Sequence, residues 1–253
     1  MALVDYDQLA AVYDRDRAQP LEALEPWRRA LAAYLPPASG LPVLDLGAGT
    51  GLFSAAIAQW FGAEVVAVEP SEGMRRQART RRAHPRVAYV GGLGEQLPLR
   101  DGCCDSAWLS TVVHHLSDQA ACAGELRRVV RPGGWVLVRN AFPDRGEPGT
   151  RLFTFWPGAR AILARAPTVR ATIATFAAAG FTLDRLEQVR DHSAASLKEA
   201  YERARVRADS LLRLLPDADF LEGLRALERA AAAETTPTPV VRRLDLLVLQ
   251  APR

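Results

Sequence analysis

The run LPVLDLGAGTGLFSAAIAQW, Leu41 to Trp60, sets an apolar segment of strand length, three glycines at alternate positions and a helical apolar pattern in immediate succession. A strand that feeds a glycine turn and then a helix is the first half of a βαβ unit, which builds parallel sheets covered on both faces. The rest of the chain agrees. Apolar runs of strand length alternate with amphipathic segments of helix length, the pattern of an α/β fold. Strands are expected at Val43 to Leu46, Val65 to Glu69, Val87 to Val90, Asp105 to Ser110, Trp135 to Ala141, Phe181 to Arg190 and Arg242 to Gln250. The predicted architecture is a Rossmann-like, seven-stranded, mostly parallel sheet with helices on both faces and an antiparallel last strand.

LSDQAACAGELRRVVRPGG predicts a helix opened near Ser117 or Asp118 and stopped by Pro132 and Gly133. Another helix is expected to begin near Thr168. The tract from Ala194 to about Ala233, interrupted at Pro216, predicts two helices. With 253 residues and 49% hydrophobic content, one domain over 1–253 is expected, with an N-terminal cap helix at about 1–35 and lid insertions at about 143–166 and 194–233.

Charge and cysteine content narrow the partners. The net charge is +3, and Lys198 is the only lysine. The one dense basic run, RRQARTRRAHPR from Arg75 to Arg86, has no aromatic side chain for base stacking, so it reads as a solvated helix face and no nucleic-acid partner is expected. Cys103, Cys104 and Cys122 lack paired Cys-x-x-Cys spacing, which suggests neither a disulfide framework nor a metal site. No segment has the length or apolarity of a membrane span, and MALVDYDQLA does not resemble a leader. A cytoplasmic protein acting on a small molecule, without a membrane partner, is the expectation. Oligomeric state is not readable.

The glycine spacing selects the ligand class. A dinucleotide fingerprint needs its third glycine three residues after the second, whereas here the series is Gly47-x-Gly49-x-Gly51 and Leu52 fills the fingerprint position. Asp45 precedes the first glycine by two residues, where a pyrophosphate gains nothing from negative charge. A cationic ligand would. S-adenosylmethionine carries an ammonium and a sulfonium and no phosphate, and it needs backbone close beneath it, which glycine permits. Glu69, ending EVVAVEPS, suits the two hydroxyls of a ribose in either nucleotide class.

Together these stretches resemble the class I S-adenosylmethionine-dependent methyltransferases, in the small-molecule branch that includes ubiquinone and menaquinone C-methyltransferases. The resemblance runs from DYDQLAAVYDRDR to PGGWVLVRNAF, through VLDLGAGTG, VVAVEPSEGM, GEQLPLRDGCCD and LSTVVHHLSD. It implies that Gly47, Ala48 and Gly49 underlie the methionine part of the cofactor, with Asp45, Gly51 and Ser110 beside them. Glu69 would hold the ribose and Pro70 follow it. Met74 would pack on the adenine, and Gly94 and Glu95 would line its edge. Where the family often carries an Asp near the adenine amino group this chain has Leu93, whose backbone would substitute. Tyr6 and Tyr13 match the family's closing helix. Phe155 and Trp156, in an aromatic insertion, are expected to roof the substrate pocket.

Methyl transfer from a sulfonium is an in-line displacement, so its rate rests on alignment and water exclusion. An oxygen or nitrogen acceptor also has a proton to lose. His114 and His115 follow the fourth strand at its carboxyl end, where such sheets collect ligands, and an imidazole with an ordinary pKa of about 6.5 is the natural base. Adjacent side chains usually diverge, so one of the pair is expected to face the cavity. The rival readings are a methyltransferase fold repurposed as a non-methylating cyclase or binding module, an NAD-dependent oxidoreductase, and a nucleic-acid or protein methyltransferase.

Overall fold

A computed structural model describes residues 20–35, 40–146 and 152–253. Among these residues, seven strands form one sheet in the order β3-β2-β1-β4-β5-β7-β6. They are β1 (Val43–Leu46), β2 (Val65–Val68), β3 (Val87–Val90), β4 (Cys104–Ser110), β5 (Val130–Asn140), β6 (Thr182–Ala194) and β7 (Val240–Gln250). β1 to β5 pair in parallel, and β7 enters antiparallel between β5 and β6. The order reverses at β1, where the chain leaves one half of the sheet for the other through β4, and the carboxyl ends of these two strands are where ligands collect in open α/β sheets.

Alternation along the strands sorts the core. On β5, Val136 and Val138 face one apolar cluster and Leu137 the other, and on β7 Leu247 and Leu249 oppose Leu246 and Val248. The first cluster is closed by α4 (Gln119–Val129) and α7 (Val169–Ala178), through Leu126 and Phe176. The second is closed by α1 (Glu25–Leu31) and α2 (Leu52–Phe61), through Trp27, Leu31 and Ile57. Residues 21–35, expected within a cap, therefore build core beneath the sheet, and Trp27 is fully buried against Trp108 and Phe53.

Local chemistry explains the boundaries. α4 opens on Asp118, whose carboxylate accepts from the amides of Ala120 and Ala121. Asp118, not Ser117, is thus the cap. The helix stops at Val129, before Pro132, and the chain pairs at once with Cys104 through Val130, a register shift that lengthens β5 beyond the expected start at Trp135. Thr168 caps α7 as expected. α3 (Glu72–Arg81) is capped by Ser71.

The carboxyl-terminal insertion departs from the two predicted helices. It holds α8 (Leu197–Ala204), α9 (Ser210–Arg213) and α10 (Asp217–Ala232), because Arg207 takes a φ of 47° and breaks the tract as well as Pro216. With α5 (Leu152–Phe155) and α6 (Ala159–Leu163) these helices enclose a third apolar cluster of their own.

Candidate active site

The turn after β1 meets the turn after β2 through one carboxylate. Glu69, 7% exposed, accepts from the Gly49 amide at 2.9 Å through Oε2 and from the Ser71 amide at 3.0 Å through Oε1. A carboxylate offers about four acceptor positions, and these amides take one on each oxygen. Gly47, Gly49 and Gly51 hold φ angles of 70°, 56° and 80°. A Cβ on Gly47 would sit 2.5 Å from Val112 Cγ2, and one on Gly51 2.3 Å from the Tyr89 hydroxyl oxygen. At these two positions the turn's own conformation and packing already require glycine, a reason additional to the approach of a ligand.

Asp45 lies beneath this turn, 2% exposed, and accepts a 2.5 Å hydrogen bond from Ser54 Oγ. Burial pushes its carboxyl up to about 7; the Ser54 bond works against that rise and the charge of Glu69 adds to it. Two acids and a ring of glycine backbone form a site for a cation-bearing ligand, and they oppose a pyrophosphate.

The other expected cofactor residues separate into two groups. Ala48, Gly49 and Ser110 border the cleft over the glycine turn, together with Asp45 and Gly47. Pro70 is exposed, and Met74 is buried in the first turn of α3 with its amide on Ser71 Oγ. Leu93 is 55% exposed and bridges back to Gln96. Gly94 is packed close to α4: a Cβ there would reach 2.9 Å from Leu116 Cδ2 and 3.3 Å from Cys122 Sγ. Glu95 spends its carboxylate on the start of the same helix, accepting from the Ser117 amide and hydroxyl at 2.8 Å each. Burial would raise this carboxyl, and the bonds from Ser117 and Asp118 outweigh it and hold it below its ordinary range. Gly94 and Glu95 therefore tie their loop to α4. Tyr6 and Tyr13 lie outside the described residues.

A second cavity adjoins the first. His114, His115, Thr111 and Asn140 line it from the carboxyl ends of β4 and β5, and Leu163, Ala166 and Leu211 line it from the helical insertions that follow β5 and β6. Both imidazoles border it, with ring centroids 4.0 Å apart, so the expected divergence of neighbouring side chains does not hold. The cause is the tight turn that follows β4. Thr111 adopts a φ of 57°, rare for a β-branched residue, and the His115 amide donates to Val112 O at 2.7 Å.

Phe155 and Trp156 are absent from this lining. Trp156 is 3% exposed, stacks on Phe220 and donates from Nε1 to Phe220 O at 3.0 Å. Phe155 packs against the same lid cluster. Both aromatics belong to the apolar cluster inside the helical insertions, and Leu163, Ala166 and Leu211 are the apolar residues of those insertions that border the cavity.

A charged network escaped the sequence reading. Asp191, on β6 and 1% exposed, accepts from Trp27 Nε1 at 2.6 Å and Arg139 Nη2 at 2.8 Å through Oδ1, and from Arg242 Nε at 2.5 Å through Oδ2. Arg139 also donates to Ser110 Oγ at 3.1 Å and lies over the rings of Trp27 and Phe53. Burial would raise the Asp191 carboxyl, but the two guanidinium groups hold it far below its ordinary range. The available signal was a charge inside each of two apolar strand patterns, WVLVRN and VVRRLDLLVLQ.

A family model described as a methyltransferase domain matches residues 44–138. A demethylmenaquinone methyltransferase of Streptomyces griseus is 31% identical over 164 residues, which cover 62% of this chain and 70% of that protein. The chain belongs to the class I S-adenosylmethionine-dependent methyltransferases. With the demethylmenaquinone methyltransferase of Beutenbergia cavernae it shares 37% identity over 130 residues, 51% of this chain and 53% of that protein, so the chain spans about half the length of that relative. Its fold also matches the crystal structure of a protein from Anabaena variabilis, assigned there to the methyltransferases of an antibiotic biosynthesis pathway. That match has a TM-score of 0.68 and 25% identity, covering 87% of this chain and 96% of that one. Among the described residues no helix is long and apolar enough to cross a membrane, and no acidic, histidine or cysteine group is arranged to hold a metal.

Proposed function

We propose that this chain methylates a small-molecule acceptor with S-adenosylmethionine as donor. The observation that carries this reading is the junction of two cavities: the cleft over the glycine turn and the lid pocket share Thr111 and Arg242. One cavity suits a cationic nucleotide and the other a small apolar acceptor, with a common wall where their reacting ends would meet.

The donor set fits the cofactor. Glu69 supplies negative charge beside glycine backbone, Asp45 adds a buried carboxyl that a bound cation would help to ionise, Ala48 and Ser110 border the same cleft, and Met74 provides apolar surface after the β2 turn. Leu93 has an exposed side chain, and its backbone would serve the adenine edge. When bound, S-adenosylmethionine supplies an electrophilic methyl group on a sulfonium. The chain's own part is to orient, to exclude water and to receive a proton. Glu69 is the proposed ribose acceptor, fixed by the Gly49 and Ser71 amides before any ligand arrives. The lid helices over His114 and Asn140 exclude water from the acceptor side. One of the two histidines takes the proton of an oxygen or nitrogen acceptor, while a carbon acceptor would need the base only to complete rearomatisation or enol recovery.

The whole of 1–253 acts as one catalytic unit in this reading, with the insertions as its lid. Methyl transfer from labelled S-adenosylmethionine into a small-molecule extract is the test, with His114→Gln and His115→Gln run beside the parent. A labelled product is expected, and loss of the base should slow its formation by about 10² to 10⁴. Cofactor binding without transfer to any acceptor would favour the repurposed cyclase or binding module. Binding of NAD in place of S-adenosylhomocysteine would overturn the reading.

A further inference from the structure

We propose that Arg242 is the anion-binding residue of the acceptor pocket, and that the acceptor is an apolar molecule bearing an acidic oxygen, a carboxylate or a phenolate. The proposal rests on the methyltransferase reading and names the substrate class of that same site.

Position separates the two arginines that meet at Asp191. Arg139 borders the cleft over the glycine turn and not the lid pocket, whereas Arg242 borders both. An arginine serving the carboxylate of the cofactor's methionine part has no need to reach beneath the lid. Arg139 meets that requirement and Arg242 exceeds it.

Orientation points the same way. Nε of Arg242 is held by Asp191 Oδ2, which fixes the plane of the guanidinium, and Asp191 is the only polar partner that Arg242 has among the described residues. A guanidinium has five N–H donors, so the terminal groups remain for an acceptor of two-pronged shape. Asp191 also receives Arg139 and Trp27, and its negative charge is not spent on Arg242 alone. Arg242 keeps 19% of its side chain exposed, at the edge of the run Leu244 to Leu249 that is buried along β7.

The surroundings then define the molecule that would satisfy it. Leu163, Ala166, Leu211 and Leu244 make the pocket wall largely apolar. A cation beside such a wall is poorly screened and favours an anion attached to an apolar body. Among the described residues the other ionisable groups lining the pocket are His114, His115 and Asp209, and Asp209 is engaged as the cap of α9, accepting from the Leu211 amide at 2.9 Å. The histidines line the pocket from the turn after β4. An acidic oxygen held by Arg242 would thus keep its negative charge at the boundary where the two cavities meet.

The test is calorimetric, on the full chain saturated with S-adenosylhomocysteine. The probes are benzoate and para-nitrophenolate, each against a neutral counterpart, benzamide and para-nitroanisole. At least one anion should bind more tightly than its counterpart. Arg242→Gln should weaken that anion at least about tenfold, the loss of a charge-assisted pair, with S-adenosylhomocysteine affinity within about twofold. Arg242→Lys keeps the charge toward Asp191 and loses the fork, so it should retain the preference for the anion at reduced affinity; it also carries the test if the Gln variant fails to fold. Equal binding of anions and neutral counterparts, no binding of either anion, or an unchanged anion affinity in Arg242→Gln overturns the proposal. A variant that loses S-adenosylhomocysteine and keeps the anion would assign Arg242 to the cofactor and overturn it as well. If the parent chain binds no S-adenosylhomocysteine, the methyltransferase reading fails, and the anion preference is then read on the unloaded protein.

Discussion

Raising the pH toward neutrality is expected to weaken the ligand-free protein through a single buried carboxyl. Asp45 has a pKa of about 7 in the fold against an ordinary 3.8, so between these values the folded chain keeps a proton that the unfolded chain has released. The stability tied to that proton is complete below about pH 4, declines as pH rises through the window, and is gone above about pH 7. A shift of about 3 units at about 1.4 kcal/mol each sets a ceiling of about 4 kcal/mol. Asp45→Asn removes the titration and keeps an oxygen to accept from Ser54 Oγ. Urea unfolding of both proteins near pH 5 and near pH 8 isolates the effect, since every other group titrates alike in the two. Only the part of the window from pH 5 to about 7 is crossed, so the stability of the variant relative to the parent should rise by about 2 to 3 kcal/mol between the two conditions. A relative stability that does not change with pH would refute the argument that burial dominates at Asp45.

Two further substitutions separate ligand contact from internal support. Glu69→Gln should weaken S-adenosylhomocysteine at least about tenfold in calorimetry, through loss of charge-assisted bonds worth about 1.5 to 3 kcal/mol each, and an unchanged dissociation constant would remove Glu69 from the ribose site. Glu95→Ala should instead cost about 1 to 2 kcal/mol of folding stability by untying Ser117 and Asp118, with S-adenosylhomocysteine affinity nearly unchanged. A tenfold loss of affinity in that variant would instead support Glu95 at the adenine edge.

The sheet was legible because each strand carries its burial in its own letters. VLDL, VVAV and SAWLS are apolar runs bounded by turn residues, and a parallel strand buried on both faces has to read that way. Long-range packing was not legible. Nothing local in GLGEQLP shows that Glu95 reaches Ser117 across 22 residues, and the aromatic run FTFW looks the same whether it roofs a pocket or fills a lid. The histidine pair failed for a different reason: side-chain divergence is a rule for regular backbone, and Thr111 at a φ of 57° ends regular backbone there.

The arginine network shows which sequence signal deserved more weight than periodicity. Isolated polar groups are costly to bury, and a charge more so, unless a partner neutralises it. A charged residue inside an apolar strand therefore predicts a counter-charge on an adjacent element, even when the partner cannot be located from sequence. Here the pairing is a cross-strand one, Asp191 opposite Arg242 in the β6–β7 register, and Arg139 reaches the same carboxylate from β5, beyond β7. A fold needing only hydrophobic burial would have filled these positions with aliphatic side chains at no cost in desolvation. That two arginines stand at the carboxyl ends of the sheet, beside the turn after β4, argues that their charge serves a ligand, with Asp191 keeping them in place until it binds.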